Sequence, residues 1–61
     1  MANRIRELRK GKGMTLSQLA GFVDISIAYL SDIENGNRHG SDATLSRIAE
    51  ALGVKVADMM E

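Results

Sequence analysis

Leu-Ser-Gln-Leu-Ala-Gly-Phe-Val-Asp-Ile-Ser-Ile-Ala-Tyr-Leu-Ser-Asp-Ile, residues 16 to 33, decides how this chain is read. Leu16, Leu19, Ala20 and Val23 recur at i, i+3, i+4 and i+7, one face of a helix, and Leu30 and Ile33 resume the three-residue step after a break at Asp24 to Ser26. The pattern predicts two short amphipathic helices joined by a tight turn.

The residues at the bend sharpen this. A close helix crossing needs a small side chain, and Ala20 supplies one. Asp24 falls where the chain must leave the first of the two helices, a place that favours a left-handed backbone; glycine adopts it freely and aspartate at some cost. Ile25 then returns to the core, and Ser26 is a ready N-cap for the second helix. These constraints describe a helix-turn-helix unit.

Leu19-Ala20, Val23, Ile25-Ser26, Tyr29-Leu30-Ser31 and Ile33-Glu34-Asn35-Gly36 together resemble the lambda-repressor-like family, the Cro/C1-type or XRE helix-turn-helix DNA-binding domains. The likeness extends to Ile5-Arg6-x-Leu8-Arg9, to Met14-Thr15, to Thr44-Leu45-x-x-Ile48-Ala49-x-Ala51-Leu52-Gly53-Val54 and to Met59-Met60, so it covers nearly the whole chain. It implies an all-α fold, a compact bundle of five short helices with the helix-turn-helix at the second and third. The implied function is sequence-specific DNA binding in transcription regulation, as a repressor, with the third helix in the major groove.

Length and composition set bounds. Sixty-one residues are read as one domain, 1–61; a domain of this size buries only about 60% of its unfolded surface. With no cysteine and a single histidine, His39, neither a disulfide nor a metal site of ordinary geometry can be written, and no cofactor is expected. No nucleophile–base pair or phosphate loop is visible, so no catalysis and no small-molecule substrate are expected. No apolar run approaches the ~20 residues that span a bilayer and no leader pattern is seen, which reads as a cytoplasmic protein. No linker, repeat, low-complexity segment or proline interrupts the chain.

The formal charge is zero, unusual for a nucleic-acid binder, because neutralised phosphates supply most non-specific affinity. The charge is nevertheless unevenly spread. Residues 1–12 carry net +4 from Arg4, Arg6, Arg9, Lys10 and Lys12 against Glu7. Residues 13–37 carry −3 from Asp24, Asp32 and Glu34, and the remainder carries −1.

In chain order, Asn3 is expected to cap a first helix running to about Lys10, with Ile5 and Leu8 inward and Gly11 and Gly13 ending it. The resemblance pairs Arg9 with Glu34 as a structural ion pair. Met14 belongs to the core, and Thr15 caps the helix that begins at Leu16. The positive end of that helix suits a phosphate, which makes Thr15, Ser17 and Gln18 candidate DNA-backbone contacts; many relatives carry Gln where this chain has Leu16.

The third helix spans about Ile27 to Asn35. By position, the resemblance makes Ser26, Ile27, Ala28, Ser31 and Asp32 the base-contacting set, with Tyr29 near the backbone. Relatives commonly place Gln, Arg, Ser or Thr there, whereas here Ile27 and Ala28 can press on thymine methyls, Ser31 can bond either base type and Asp32 can accept from a cytosine amine. An acidic residue in this place repels phosphates, which predicts weakened affinity carried more by Arg38, His39 and the first helix. Gly36 is placed for a left-handed helix end, and in the resembled family the loop Asn37, Arg38, His39 lies along the DNA backbone.

Ser41 or Asp42 caps a fourth helix to about Leu52, with Leu45, Ile48, Ala49 and Leu52 at core spacing and Gly53 as its stop. Val54, Val56, Met59 and Met60 form a last short apolar turn. In a monomer these residues would seal the underside of the core; the resemblance places dimer contacts of several relatives here, which makes Val56, Met59 and Met60 equally the candidate interface of a homodimer bound to an inverted repeat of double-stranded DNA. The alternative reading is a protein-interaction or self-association module on the same scaffold, using the apolar and acidic surface from Ile27 to Asp32.

Overall fold

The computed structural model describes residues 3–60. Five helices follow in order: α1 Ile5–Gly11, α2 Leu16–Val23, α3 Ile27–Glu34, α4 Asp42–Leu52 and α5 Val56–Met59. The described residues contain no strand. All-α architecture with the helix-turn-helix at α2 and α3 is therefore the observed fold.

Capping chemistry places the boundaries. Thr15 and Gln18 form a reciprocal capping box, the Thr15 hydroxyl accepting the Gln18 N–H at 3.0 Å and the Gln18 side-chain oxygen accepting the Thr15 N–H at 2.8 Å. The Ser26 hydroxyl accepts from the Tyr29 amide at 3.0 Å to start α3. Of the two candidates for α4 it is Ser41 that caps, accepting from the Thr44 amide at 3.1 Å. Asn3 sits one residue outside the expected cap position. Its Oδ1 accepts the Ile5 N–H at 3.1 Å while its amide donates to the Ile33 carbonyl at 2.7 Å, so it caps α1 and ties it to α3 at once.

Four of the helices end in the same way, α1 at Gly13 (φ 71°) and α3 at Gly36 (φ 79°) carrying the same pair of backbone hydrogen bonds as α2 and α4. After α4, Gly53 is left-handed (φ 71°), the Gly53 N–H donates to the Glu50 carbonyl and the Val54 N–H reaches back to Ala49. After α2, Asp24 takes that place (φ 58°, ψ 46°), its N–H donating to Gly21 and that of Ile25 to Ala20. All four are Schellman closures. At α2, however, a residue with a Cβ occupies the left-handed position that glycine fills at α4.

The core is built from Ile5, Leu19, Ala20, Val23, Leu30, Ile33, Leu45, Ile48, Ala49, Leu52 and Met59, all buried. Leu8, Met14, Leu16, Ile25, Val54, Val56 and Met60 pack around its edge. Met59 corrects one expectation. It is completely buried in the protein's own core and cannot form part of a two-fold interface. The Arg4 N–H donates to the Met59 carbonyl at 2.8 Å, fixing the start of α1 against the end of α5.

A buried ion pair closes the bundle. Arg9 Nε lies 2.7 Å from Glu34 Oε2 and Arg9 Nη2 3.0 Å from Oε1, while Nη1 donates to the Met14 carbonyl at 2.9 Å. Exposure of the two side chains is 10% and 1%. The hydrogen bond to Glu34 raises the Arg9 pKa above the ordinary guanidinium value, against the opposing effect of burial. Because the shift is upward, its contribution to stability is present throughout the pH range below that ordinary value and fades only in strongly alkaline solution. Arg6 adds a third donor, its Nε 3.3 Å from Glu34 Oε1, and its Nη2 donates to the Asn35 side chain.

Two stability predictions follow from these contacts. Arg9→Met leaves the buried Glu34 carboxylate with only the 3.3 Å contact to Arg6 and strips the Met14 carbonyl of its donor, so it is expected to cost about 3 kcal/mol, a fall of about 10 °C or more in Tm for a domain of this size. Arg9→Met combined with Glu34→Met should recover most of that loss. Thermal melts followed by circular dichroism read both, and equal melting of the single and double variants would remove the pair as the cause. Asp24→Gly relieves the left-handed strain and removes a negative charge from a helix C-terminus, and is expected to add about 1 kcal/mol. An unchanged or lower Tm for that variant would show that the Asp24 side chain contributes something the backbone argument omits.

Candidate nucleic-acid interface

Rotation about the α3 axis sorts its residues. Leu30, Ile33 and Glu34 are buried, whereas Ile27, Ala28 and Asn35 are exposed and Ser31 and Asp32 half-exposed. At 100° per residue, positions 27, 28, 31, 32 and 35 share one outward arc. The four α3 residues expected to contact bases thus share a single face. Ser26, the fifth member of the set, is exposed at the start of the helix with its hydroxyl oxygen engaged as the cap.

The face is mixed in chemistry. Ile27 is 49% exposed, an unusual place for so large an apolar side chain. Ser31 offers a hydroxyl that accepts only a long 3.4 Å bond from Asn35 Nδ2. The Asp32 carboxylate is 3.4 Å from Arg38 Nε, and the Arg38 guanidinium stands 5.8 Å from the centre of the Tyr29 ring, within cation–π range. Tyr29 and Arg38, both expected at the DNA backbone, and Asp32, expected at the bases, form one cluster.

What brings them together is the backbone. The Asp32 carbonyl accepts the N–H groups of both Asn37 (2.9 Å) and Arg38 (3.2 Å), and the Gly36 N–H donates to Ile33, so the loop after α3 folds back on the helix. Gly36 is left-handed at φ 79°. Gly40 then closes the loop at φ 85°, where a Cβ would lie 3.1 Å from Ile33 Cδ1. A Cβ there would press the end of the Ile33 side chain by a few tenths of an ångström on a backbone that already favours glycine. Asn37, Arg38 and His39 are held exposed between these two glycines, and His39 Nδ1 is 3.1 Å from the Gly40 carbonyl.

At the start of α2, the capping box uses Gln18's side-chain oxygen and backbone N–H, leaving its NH2 group as the available donor. Ser17 is exposed, and the first-turn amides of Leu16 and Ser17 have no acceptor within the helix. Thr15, Ser17 and Gln18 therefore stand at an open, positively polarised helix end.

The basic segment is partly spent inward. Arg6 and Arg9 both turn to Glu34, and Lys12 Nζ lies beside Gly53 at the C-terminus of α4, where a cation suits the helix dipole. Arg4 and Lys10 remain exposed without an ion pair among the described residues. Phe22, which the sequence pattern leaves outside the candidate set, is 73% exposed and lines a groove with Asp24, Arg47 and Ala51. Its position on the polar side of α2's period is the signal that marks it as exposed. Among the described residues no cluster of three or more metal-ligating side chains occurs, and no helix is long and apolar enough to cross a membrane.

The helix-turn-helix family model matches residues 5–59. The transcriptional regulator DdrOP3 of Deinococcus deserti is 41% identical over 61 residues, covering all of this chain and 47% of that protein. The biofilm master regulator SinR of Bacillus subtilis, in a structure of its complex with DNA, superposes with a TM-score of 0.81 at 36% identity, covering 88% of this chain and 87% of that one. The restriction-modification controller C.AhdI of Aeromonas hydrophila gives 0.85 at 31% identity, covering 90% and 83%. The chain spans about half the length, or slightly less, of the first curated relatives it matches. By sequence, by helix order and by the geometry of its second and third helices, the chain belongs to the lambda-repressor-like helix-turn-helix family.

Proposed function

We propose that this domain is a sequence-specific DNA-binding transcriptional regulator, acting as a repressor, that inserts α3 into the major groove and has no catalytic step or cofactor. The observation that carries the reading is the outward arc of Ile27, Ala28, Ser31 and Asp32 on a helix whose opposite side is locked into the core. A helix held in this way can present side chains to base edges at fixed register. Thr15, Ser17, Gln18, Tyr29, Asn37, Arg38 and His39 serve the phosphate backbone, with amides at the α2 N-terminus and hydroxyl, amide and cationic groups elsewhere. The place of action is the cytoplasm, where the DNA of a bacterial or phage regulator lies.

A homodimer on an inverted repeat fits this reading. Val56 and Met60 are partly exposed and can contribute apolar area to a two-fold contact, without Met59. Two recognition helices would then meet half-sites about 34–36 Å apart.

Selection of bound duplexes from a random library by the purified chain, at about 0.1 M salt, tests the reading. Enrichment of an inverted repeat with half-site centres one helical turn apart is the expected result. Affinity for the selected site should fall about 100-fold between 50 and 200 mM salt if about four phosphates are neutralised. Ser31→Ala should alter preference at one base position. A folded sample that enriches no sequence would overturn the proposal and favour the protein-interaction reading, with Ile27 as its apolar contact.

A further inference from the structure

Asp32 is the anomaly of the outward α3 face: a carboxylate on a surface meant to approach a polyanion. Its partner is not on α3 but on the loop. Arg38 is delivered to it by the two loop amides that bind the Asp32 backbone carbonyl, and its guanidinium also stands over the Tyr29 ring. The side chains are 65% (Arg38) and 40% (Asp32) exposed, so the pair is wet and holds together weakly. What it changes is the local field, because a cation within about 4 Å cancels most of the carboxylate's repulsion of nearby phosphates.

We propose that Arg38 is a positioning residue that acts through Asp32, which determines specificity: Arg38 masks the Asp32 charge, so that this carboxylate can accept a hydrogen bond from a cytosine exocyclic amine in the major groove without driving the backbone away. Acceptance from cytosine N4 is the base contact open to an aspartate, which has no donor when ionised. The loop residue and the helix residue therefore work as one reading unit, with Arg38 supplying the charge and Asp32 the acceptor. Tyr29 limits the directions in which the guanidinium can swing. The inference rests on the DNA-binding reading above.

The experiment is a double-mutant cycle, Asp32→Ala, Arg38→Ala and both together, measured against the selected duplex and against the same duplex with the contacted cytosine pair replaced. Circular dichroism of each variant checks that these exposed changes leave the fold intact. Arg38→Ala should weaken binding about tenfold or more in the native background but no more than about threefold in Asp32→Ala, a coupling typical of directly interacting residues. Asp32→Ala should abolish preference for cytosine at one position of each half-site, whereas Arg38→Ala should keep it at lower affinity. Equal Arg38→Ala losses in both backgrounds, or a cytosine preference that survives Asp32→Ala, would overturn the inference while leaving DNA binding in place. A native chain that selects no sequence would overturn both.

Discussion

A carboxyl group as buried as that of Glu34 cannot stand without polar partners in the interior of a small domain. Arg9 answers it with two hydrogen bonds and uses its remaining terminal nitrogen on the Met14 carbonyl, while Arg6 and Asn3 bind the same end of α3 from one and two turns earlier. Helix α1 is therefore less a wall of the bundle than a bracket on the C-terminal end of α3. Everything that follows α3, including the Gly36 turn and the loop that returns to Asp32, starts from a point fixed by this charge pair.

The same bracket decides where the positive charge goes. A count of basic residues near the start of the chain suggests a broad cationic surface, but Arg9 is buried, the half-exposed Arg6 is paired with Glu34 and one lysine sits at a helix end. In a chain of zero net charge, such internal use matters more than in a basic one. The candidate interface accordingly leans on polarised amides, hydroxyls and a locally neutralised carboxylate more than on a field of lysines.

Much of this was legible in the residue order. The caps at Thr15, Ser26 and Ser41, the left-handed Asp24 and the core spacing of Leu45, Ile48, Ala49 and Leu52 all depend on neighbours within one helical turn, where local rules apply. Whether Met59 faces the core or a partner is not legible, because a four-residue helix has too little period to say which side is inside and its carbonyl is bound by the Arg4 amide, 55 positions away. The grouping of Tyr29, Asp32 and Arg38 was hidden for a similar reason. Each residue type suggested a role, but the loop's return to the Asp32 carbonyl sets the distances, and that return depends on Gly36 and on the close approach of Gly40 to Ile33. The outward face of α3 was legible as a set of positions.

The hydrogen bond from the Arg4 amide to the Met59 carbonyl also brings the two ends of the fold to one spot on its surface. Any partner domain, tag or linker joined ahead of α1 or behind α5 would emerge from that one spot. The unit can thus be inserted as a cassette into an exposed loop of another protein with a short connector on each side, and a circular permutation joining residues 3 and 60 would need only a few added residues to leave every helix in place.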